Sequence, residues 1–315
     1  MKLSELNYGD GFTGFYILKN VFNKVTNSGK PYLAAHLADA SMMVECKVWD
    51  YPGPLGPADD GKVVKVQGVM QEFKGMPQIK VERIRLATEQ DDYDVGDLVP
   101  TAPMDLQAAY ARVEAVVDSM ADGDYRAVCK EFLRRHSDGF RKLPAAKSVH
   151  HSFVGGLLMH TSYMLELAEF LAKLYSAVID RDLLLAGTLL HDFSKMEEFV
   201  TSQLGVVTEY STRGQLLGHL VMGAQETAEV CKELGVPEEK SILLQHMILS
   251  HHGQPEFGAA VVPQCAEAEL LCYIDNIDAK MEIYRENLEK TPVGGFSQRI
   301  FALEKRIYNH GLEPR

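Results

Sequence analysis

The sequence has little cysteine, no long hydrophobic run and no excess of positive charge. Its five cysteines, among 315 residues, are widely spaced and form no CxxC pair, so neither a disulfide framework nor a cysteine-based zinc site is indicated. No stretch approaches the roughly 20 apolar residues that a membrane helix needs, and the N-terminus shows no apolar leader. We therefore expect a cytoplasmic protein without a membrane partner.

Positive charge is scarce over the chain as a whole but not in every segment. The net charge of −12, from 32 Lys and Arg against 44 Asp and Glu, argues against a nucleic-acid-binding protein, because such proteins usually present a basic surface. Residues 62–85, however, carry six basic and two acidic side chains, and residues 126–147 carry seven and two. Net charge therefore does not exclude a basic path for a nucleic acid.

The chain divides into a part with strand periodicity and a part with helix periodicity. Residues 1–90 contain five short β-rich runs separated by turn residues, which predicts a small five-stranded barrel of the OB-like kind. Residues 91–105 are acidic and contain prolines, as is typical of a solvated linker. Apolar residues then recur at helical spacing through 106–315, which predicts an all-helical domain whose last helix spans 296–310.

Histidines and aspartates cluster in the helical part. Ten of the eleven histidines follow residue 135, and several close an apolar helical run beside an aspartate, as His191 and Asp192 do. A bundle can project such side chains from separate helices onto one central point. Imidazoles and carboxylates without thiolates favour Mn, Fe, Co, Ni or Zn. The two oxygens of Asp192 suit a bridge between two ions, an arrangement that serves phosphodiester hydrolysis.

Any one of these histidines is more often an ordinary core or capping residue, so the interpretation depends on the whole set. The order H…HD…H…HH…D resembles the HD-domain metal-dependent phosphohydrolase superfamily and is formed here by His160, His191-Asp192, His219, His251-His252 and Asp275. Together with the preceding OB-like domain, the phrases GGLLMHT, LLHDFSK, ILSHHG and YIDNIDAK resemble YhaM-type 3′–5′ exoribonucleases over nearly the whole chain. This resemblance implies an OB-fold nucleic-acid-binding domain at 1–90 and an HD core at about 150–282.

The resemblance also implies a centre with two divalent ions, Mn being preferred over Fe, Co or Zn. The residues implied for the first site are His160, His191, Asp192 and Asp275, with Asp192 also touching the second ion. His219 and His251 would complete the second site, and His252 and Asp278 rank below as alternative ligands or neighbours of ligands. Lys195 occupies the place of a lysine near the substrate phosphate, so that Asp192 and Lys195 are the implied catalytic residues. The family's usual HDIGK reads HDFSK here.

The implied activity is 3′–5′ digestion of single-stranded RNA, and often DNA, to nucleoside 5′-monophosphates. The residues expected to bind the strand are Lys62, Lys65, Lys74, Lys80, Arg83, Arg85, Lys147, Trp49 and Phe73. Exposed rings can stack on bases whatever the nucleotide sequence. The alternative is that the rings fill the barrel core and the lysines form an ordinary solvated face.

Other interpretations of the chain stay open. An HD centre also suits a phosphohydrolase of small nucleotides or cyclic dinucleotides, and a non-catalytic RNA-binding regulator belongs to another class. A homo-oligomer is equally open. In the segment LPAAKSVHHSFVGG, His151 either lines the substrate entrance or belongs to a purely structural connection between two helices.

Overall fold

The computed structural model describes residues 2–26, 28–146, 151–202 and 204–312. The chain divides into two compact units between Thr101 and Ala102, with the short segment Ser202–Leu204 grouped with the first unit. The first is a five-stranded barrel and the second is mainly helical, which confirms the fold class expected from the sequence. No helix in these ranges is long and apolar enough to span a bilayer.

The barrel consists of five strands, and the long first strand closes it by pairing with both the second and the fourth. The strands are β1 (Gly11–Val25), β2 (Pro31–Ala38), β3 (Met43–Trp49), β4 (Val63–Phe73) and β5 (Met76–Leu86). The closed order is β1-β2-β3-β5-β4, in which β3 and β5 pair in parallel and the other neighbours are antiparallel. A register shift between Lys19 and Phe22, with Asn20 at a φ of 51°, bends β1 so that it pairs with both β2 and β4.

Strict alternation fills the barrel. On β2 and β3 every second side chain, including Leu33, Leu37 and Cys46, is fully buried. The intervening side chains face outward, among them Lys47 and Trp49. The barrel therefore presents the outer faces of β2 and β3 as a surface on which polar and aromatic groups are regularly spaced.

The acidic segment predicted as a linker is folded onto the barrel through residue 101. Asp91 accepts two hydrogen bonds from the Arg85 guanidinium, and Tyr93 packs against Phe15 with ring centroids 5.0 Å apart. The short helix α1 (Val95–Leu98) follows, and its Leu98 is 2% exposed. Residues 91–101 thus group with the barrel unit, and Asp91 has partners there, while the assignment of 91–105 as the linker between two domains stays a prediction.

The second unit contains helices packed around one apolar centre. They are α2 (Leu106–Asp118), α3 (Gly123–Lys142), α4 (Gly156–Leu174), α5 (Arg181–Leu190), α6 (Lys195–Glu198), α7 (Thr212–Leu234), α8 (Glu238–Ser250) and α9 (Ala266–Leu288). A small hairpin of β6 (Phe199–Thr201) and β7 (Val207–Tyr210), which the sequence analysis did not anticipate, separates α6 from α7.

Helix α5 is the central element of this unit. Every residue from Asp182 to Leu190 is buried, as expected of a helix that is apolar on all sides. Its neighbours are α2, α3, α4, α8 and α9. Gly187 permits the closest approach, since a Cβ there would lie 2.3 Å from the Met247 Cε of α8. The end of α5, where His191 and Asp192 lie, is therefore held at the centre of the bundle.

The helix predicted over 296–310 is absent. Antiparallel bridges join Phe296 to Tyr308 and Ile300 to Lys305, with a 3-10 turn at Phe301–Leu303 between them. The spacing of Phe296, Ile300, Leu303 and Ile307 fits one face of a helix, but of these four side chains only Ile307 is buried. Backbone pairing across the turn, including the bond from the Ser297 N–H to the Ile307 carbonyl, satisfies the polar groups instead.

Candidate metal centre

Five helix regions bring the predicted ligands to one point. His160 lies on α4, His191 and Asp192 follow α5, His219 lies on α7, His251 follows α8 and Asp275 lies on α9. His160, His191, Asp192 and His251 are each at most 2% exposed. The structure thus brings together all six side chains that the sequence analysis ranked first.

The two oxygens of Asp192 face different pairs of imidazoles. Oδ2 lies 3.3 Å from the Nε2 of His191 and 3.9 Å from that of His160, while Oδ1 lies 3.5 Å from the Nε2 of His219 and 3.7 Å from that of His251. Asp275 joins the first pair, with its Oδ1 3.2 Å from the His160 Nε2. Ligand atoms about 2.1 Å from one ion stand about 3.0–3.4 Å from one another at tetrahedral or octahedral angles. Asp192 therefore lies between two sets of donors with spacings close to those of metal ligands.

Each of these imidazoles has a hydrogen-bond partner at its other nitrogen. The Nδ1 of His191 and of His251 donates to a backbone carbonyl three residues earlier, at 2.7 Å and 2.8 Å. The Nδ1 of His160 lies 2.6 Å from Asp278, and that of His219 lies 3.1 Å from Glu198. With the proton fixed on Nδ1, the Nε2 lone pair is left for a cation, which is how proteins orient histidine ligands.

Several polar atoms at the centre lack a hydrogen-bond partner among the described residues. They are the Nε2 of His191, the Nε2 of His219 and the Oδ1 of Asp192, all of which are buried. Burying unpaired polar groups is costly, so their convergence is explained if a cation binds there. This donor set, imidazole and carboxylate without thiolate, fits a divalent metal.

The charges at the centre are arranged for metal binding. Burial disfavours a charge on Asp192, but the Lys195 ammonium 2.7 Å away and the His191 imidazole outweigh it and hold the pKa of this carboxyl well below its usual range. Burial and the neighbouring imidazoles of His191 and His252 lower the pKa of His251. An anionic aspartate beside a neutral imidazole is the protonation state that binds a metal.

Comparisons with known proteins agree with this geometry. The HD-domain family model matches residues 157–280. A protein named 3′–5′ exoribonuclease YhaM, from Geobacillus sp. strain WCH70, is 36% identical over 305 residues, which cover 95% of this chain and 92% of that protein. The chain belongs to the YhaM family of 3′–5′ exoribonucleases. As a member of this hydrolase family it carries an HD domain, which implies a divalent metal cofactor.

Two solved OB domains also resemble part of this YhaM-family chain. The second OB-fold domain of replication protein A from Methanococcus maripaludis is 16% identical, covers 30% of this chain and 98% of its own, and has a TM-score of 0.22. An OB domain from Thermoplasma acidophilum is 12% identical, covers 30% of this chain and 90% of its own, and has a TM-score of 0.24.

The lower-ranked candidates lie around the metal centre of this YhaM-family protein. Asp278 contacts the Nδ1 of His160 at 2.6 Å, so it orients the ring of a predicted ligand. His252 packs against His251 with ring centroids 4.3 Å apart, and its ring nitrogens come close enough to those of His219 and His251 for a shared ion. His151 is fully buried with its Nε2 3.5 Å from Asp278, so it does not line an entrance as one interpretation had it.

The aromatic rings predicted to stack on bases lie outside the barrel core. Trp49 is 48% exposed and Phe73 is 46% exposed. Trp49 packs on Tyr32 from the neighbouring strand, with ring centroids 4.9 Å apart. The ammonium of Lys47, on the same face of β3, lies 6.0 Å from the Trp49 ring and 5.1 Å from the Phe73 ring. We call Tyr32, Lys47, Trp49, Phe73 and Lys80 the aromatic face.

Lys47 is absent from the predicted residues, although it stands two residues before Trp49 and alternation alone places both on one face. Its ammonium pairs with Glu45 at 3.3 Å. Lys80, which was predicted, is exposed and stands opposite Lys47 in the register of β3 and β5. Lys74 follows Phe73 at the β4–β5 turn, with its ammonium 5.5 Å from that ring. These cations accompany the aromatic face.

Other predicted cations have acidic partners. Lys62 pairs with Asp59 at 2.8 Å, while Arg85 and Lys65 both pair with Asp91. Arg83 is exposed opposite Gln67, and Lys147 lies outside the described residues.

The basic segment of α3 is also partly neutralised. Lys130 pairs with Asp118, Arg134 pairs with Glu131, and Arg135 pairs with Glu131 and Glu233. The charge count along the sequence therefore overstated how much free positive charge these segments offer.

Proposed function

We propose that the protein removes nucleotides from the 3′ end of single-stranded RNA, and of single-stranded DNA, and releases nucleoside 5′-monophosphates. The observation that carries this proposal is the meeting of four Nδ1-anchored imidazoles around the two oxygens of Asp192 in a YhaM-family chain. We propose a division of labour between the parts of the chain. The barrel at 1–90 binds the strand, the segment 91–105 connects the two domains, and the helical domain at 106–315 cleaves.

The proposed centre holds two ions, Mn²⁺ being the expected metal. His160, His191, Asp192 and Asp275 would bind the first ion, and Asp192, His219 and His251 the second. Two divalent ions, when bound, neutralise charge on a phosphodiester and lower the pKa of water. His252 is close enough to His219 and His251 to serve the second ion as well.

The protein's own groups supply positioning and charge. The Lys195 ammonium is held by Asp192 and keeps further N–H donors for a phosphate oxygen, which would orient the scissile group. Asp192 is fixed in the anionic state by this ammonium, so both its oxygens remain acceptors. We assign Asp192 and Lys195 the central roles in the reaction.

The aromatic face is the proposed binding surface for the strand. Trp49 and Phe73 would stack on bases, while Lys74 and Lys80 would meet phosphates. Lys47, which pairs with Glu45 at 3.3 Å, would contribute less charge. Stacking needs unpaired bases, and this requirement supports single-stranded rather than duplex substrate. Lys62, Lys65 and Arg85, whose charges are matched by Asp59 and Asp91, would contribute less.

A labelled-strand assay tests the proposal. Single-stranded RNA labelled at the 5′ end should yield a ladder of shortening labelled products with Mn²⁺, whereas 3′-labelled RNA should release labelled mononucleotide from the start. Asp192→Asn should show neither. A labelled 5′ mononucleotide released first would mean the opposite direction of digestion, and full activity of Asp192→Asn would exclude the proposed centre.

A further inference from the structure

Glu198 is a buried carboxylate that belongs to none of the predicted ligand sets. It is 7% exposed, and both of its oxygens lie 3.1 Å from the Nδ1 of His219. Its Oε1 also accepts the backbone N–H of His219 at 3.1 Å. One carboxylate therefore receives two N–H donors of a single residue and fixes both the position and the ring orientation of His219.

A break in α7 makes this contact available. Gly218 has a φ of 71° and a ψ of 160° inside the helix, a conformation that is almost confined to glycine. The break frees the N–H of His219 from the regular helical hydrogen bond, and it donates to Glu198 instead. A Cβ at Gly218 would lie 3.9 Å from Glu198, so the backbone conformation rather than space demands glycine here.

Glu198 is itself held in place. The N–H of Ser211 donates to the Glu198 carbonyl at 2.8 Å, and a Cβ at Gly214 would come within 2.4 Å of that carbonyl oxygen. Glu198 also ends the single turn of α6, which begins with Lys195. This turn therefore contacts Asp192 through Lys195 and His219 through Glu198.

We propose that Glu198 is a positioning residue that presents the Nε2 of His219 to the second metal ion. The inference rests on the two-ion centre proposed above. His160 and His191 have other acceptors for their Nδ1 atoms, so the loss of Glu198 should spare the first ion. Removal of such a carboxylate typically weakens metal binding by about 10- to 100-fold.

Calorimetric titration of Mn²⁺ into the metal-free full-length protein tests this role. Glu198→Gln keeps the size of the side chain but removes its charge. Glu197→Gln is the matched control, because Glu197 is the preceding residue of the same turn and pairs with the exposed Arg213 at 2.7 Å. In Glu198→Gln we expect the weaker of two binding steps to be about 10- to 100-fold weaker and the tighter step unchanged. Both steps should be unchanged in Glu197→Gln.

Two further measurements separate positioning from general damage. Raising Mn²⁺ should restore kcat in Glu198→Gln, which a loss of folding would not allow. Gly218→Ala should weaken the same binding step, because alanine disfavours the conformation that releases the His219 N–H. Wild-type affinities for both ions in Glu198→Gln would overturn the positioning role alone. A wild-type protein that binds fewer than two ions would overturn the two-ion centre and this inference with it.

Discussion

Trp49 on the aromatic face offers the sharpest test of how the barrel binds RNA. Its ring is 48% exposed and packs on Tyr32, so one base can stack beside it. Such a stack is worth about 1–3 kcal/mol, which corresponds to about 5- to 150-fold in Kd. We expect Trp49→Ala to weaken binding of a single-stranded RNA within this range and Trp49→Phe to restore most of the affinity.

Fluorescence anisotropy in EDTA measures this affinity while the RNA stays intact. Phe301→Ala is the control, because Phe301 is 94% exposed and lies in the C-terminal turn rather than on the aromatic face. A Trp49→Ala protein whose Kd stays within twofold of the wild type would refute the stacking role. An equal loss of RNA affinity in Phe301→Ala would show that exposed rings contribute to binding wherever they lie on the surface.

The cations of the same face should affect the salt dependence of binding instead. Each phosphate contact contributes about 0.7 to the slope of log K against log salt for a single strand. The double variant Lys74→Ala/Lys80→Ala, which removes the cation beside Phe73 and the exposed cation on β5, should therefore reduce the slope by about 1.4. Lys62→Ala should leave it unchanged, since Asp59 already neutralises that ammonium. An equal change in slope for Lys62→Ala would contradict the assignment of the face.

Three further predictions concern the helical unit. Asp192→Asn should abolish Mn²⁺ binding in calorimetry as well as RNA shortening, because a neutral amide replaces the carboxylate that both ion sites share. Binding of two ions with unchanged affinity would contradict this. Mn²⁺ at about 100 times its Kd should stabilise the protein by about 2.7 kcal/mol, seen as a rise in Tm that EDTA reverses; a Tm indifferent to both additions would count against a metal centre. Gly187→Ala should destabilise the protein by about 1–3 kcal/mol in urea unfolding, because its Cβ would meet Met247, whereas Gly123→Ala, with open space around it, should not.

The clustering of the proposed ligands was predictable because two independent patterns coincide at them. Helical spacing of apolar residues located the ends of α5 and α8, and each end carries a histidine at the last turn. The family order then gave His191 and His251 their roles. The structure adds the division of Asp192 between two pairs of imidazoles, which no spacing along the chain expresses.

Glu198 was missed because its role depends on a contact between separate segments of the chain. Glu198 reaches His219 only because α7 breaks at Gly218, and a lone glycine in an apolar helix does not by itself predict a break. The helix prediction for the C-terminal segment was wrong for a related reason. Phe296 and Ile300 fit a helical stripe, but pairing across a turn satisfied their backbone groups instead. Free charge was misjudged because Asp91, assigned to a linker, neutralises Arg85.

The Nδ1 acceptors of the four imidazoles have a consequence for which substitutions the centre tolerates. His191 and His251 are anchored by the carbonyls of Thr188 and Ile248, three residues earlier in their own helices. Any side chain that keeps the helix supplies the same carbonyl, so these two ligands are insensitive to the identity of their anchors. His160 and His219 depend on carboxylates from elsewhere in the chain, so variation at those carboxylates would change how the two imidazoles are oriented. Two of the four imidazoles are therefore positioned by the backbone of their own helices. The other two are positioned by carboxylate side chains that must be retained along with them.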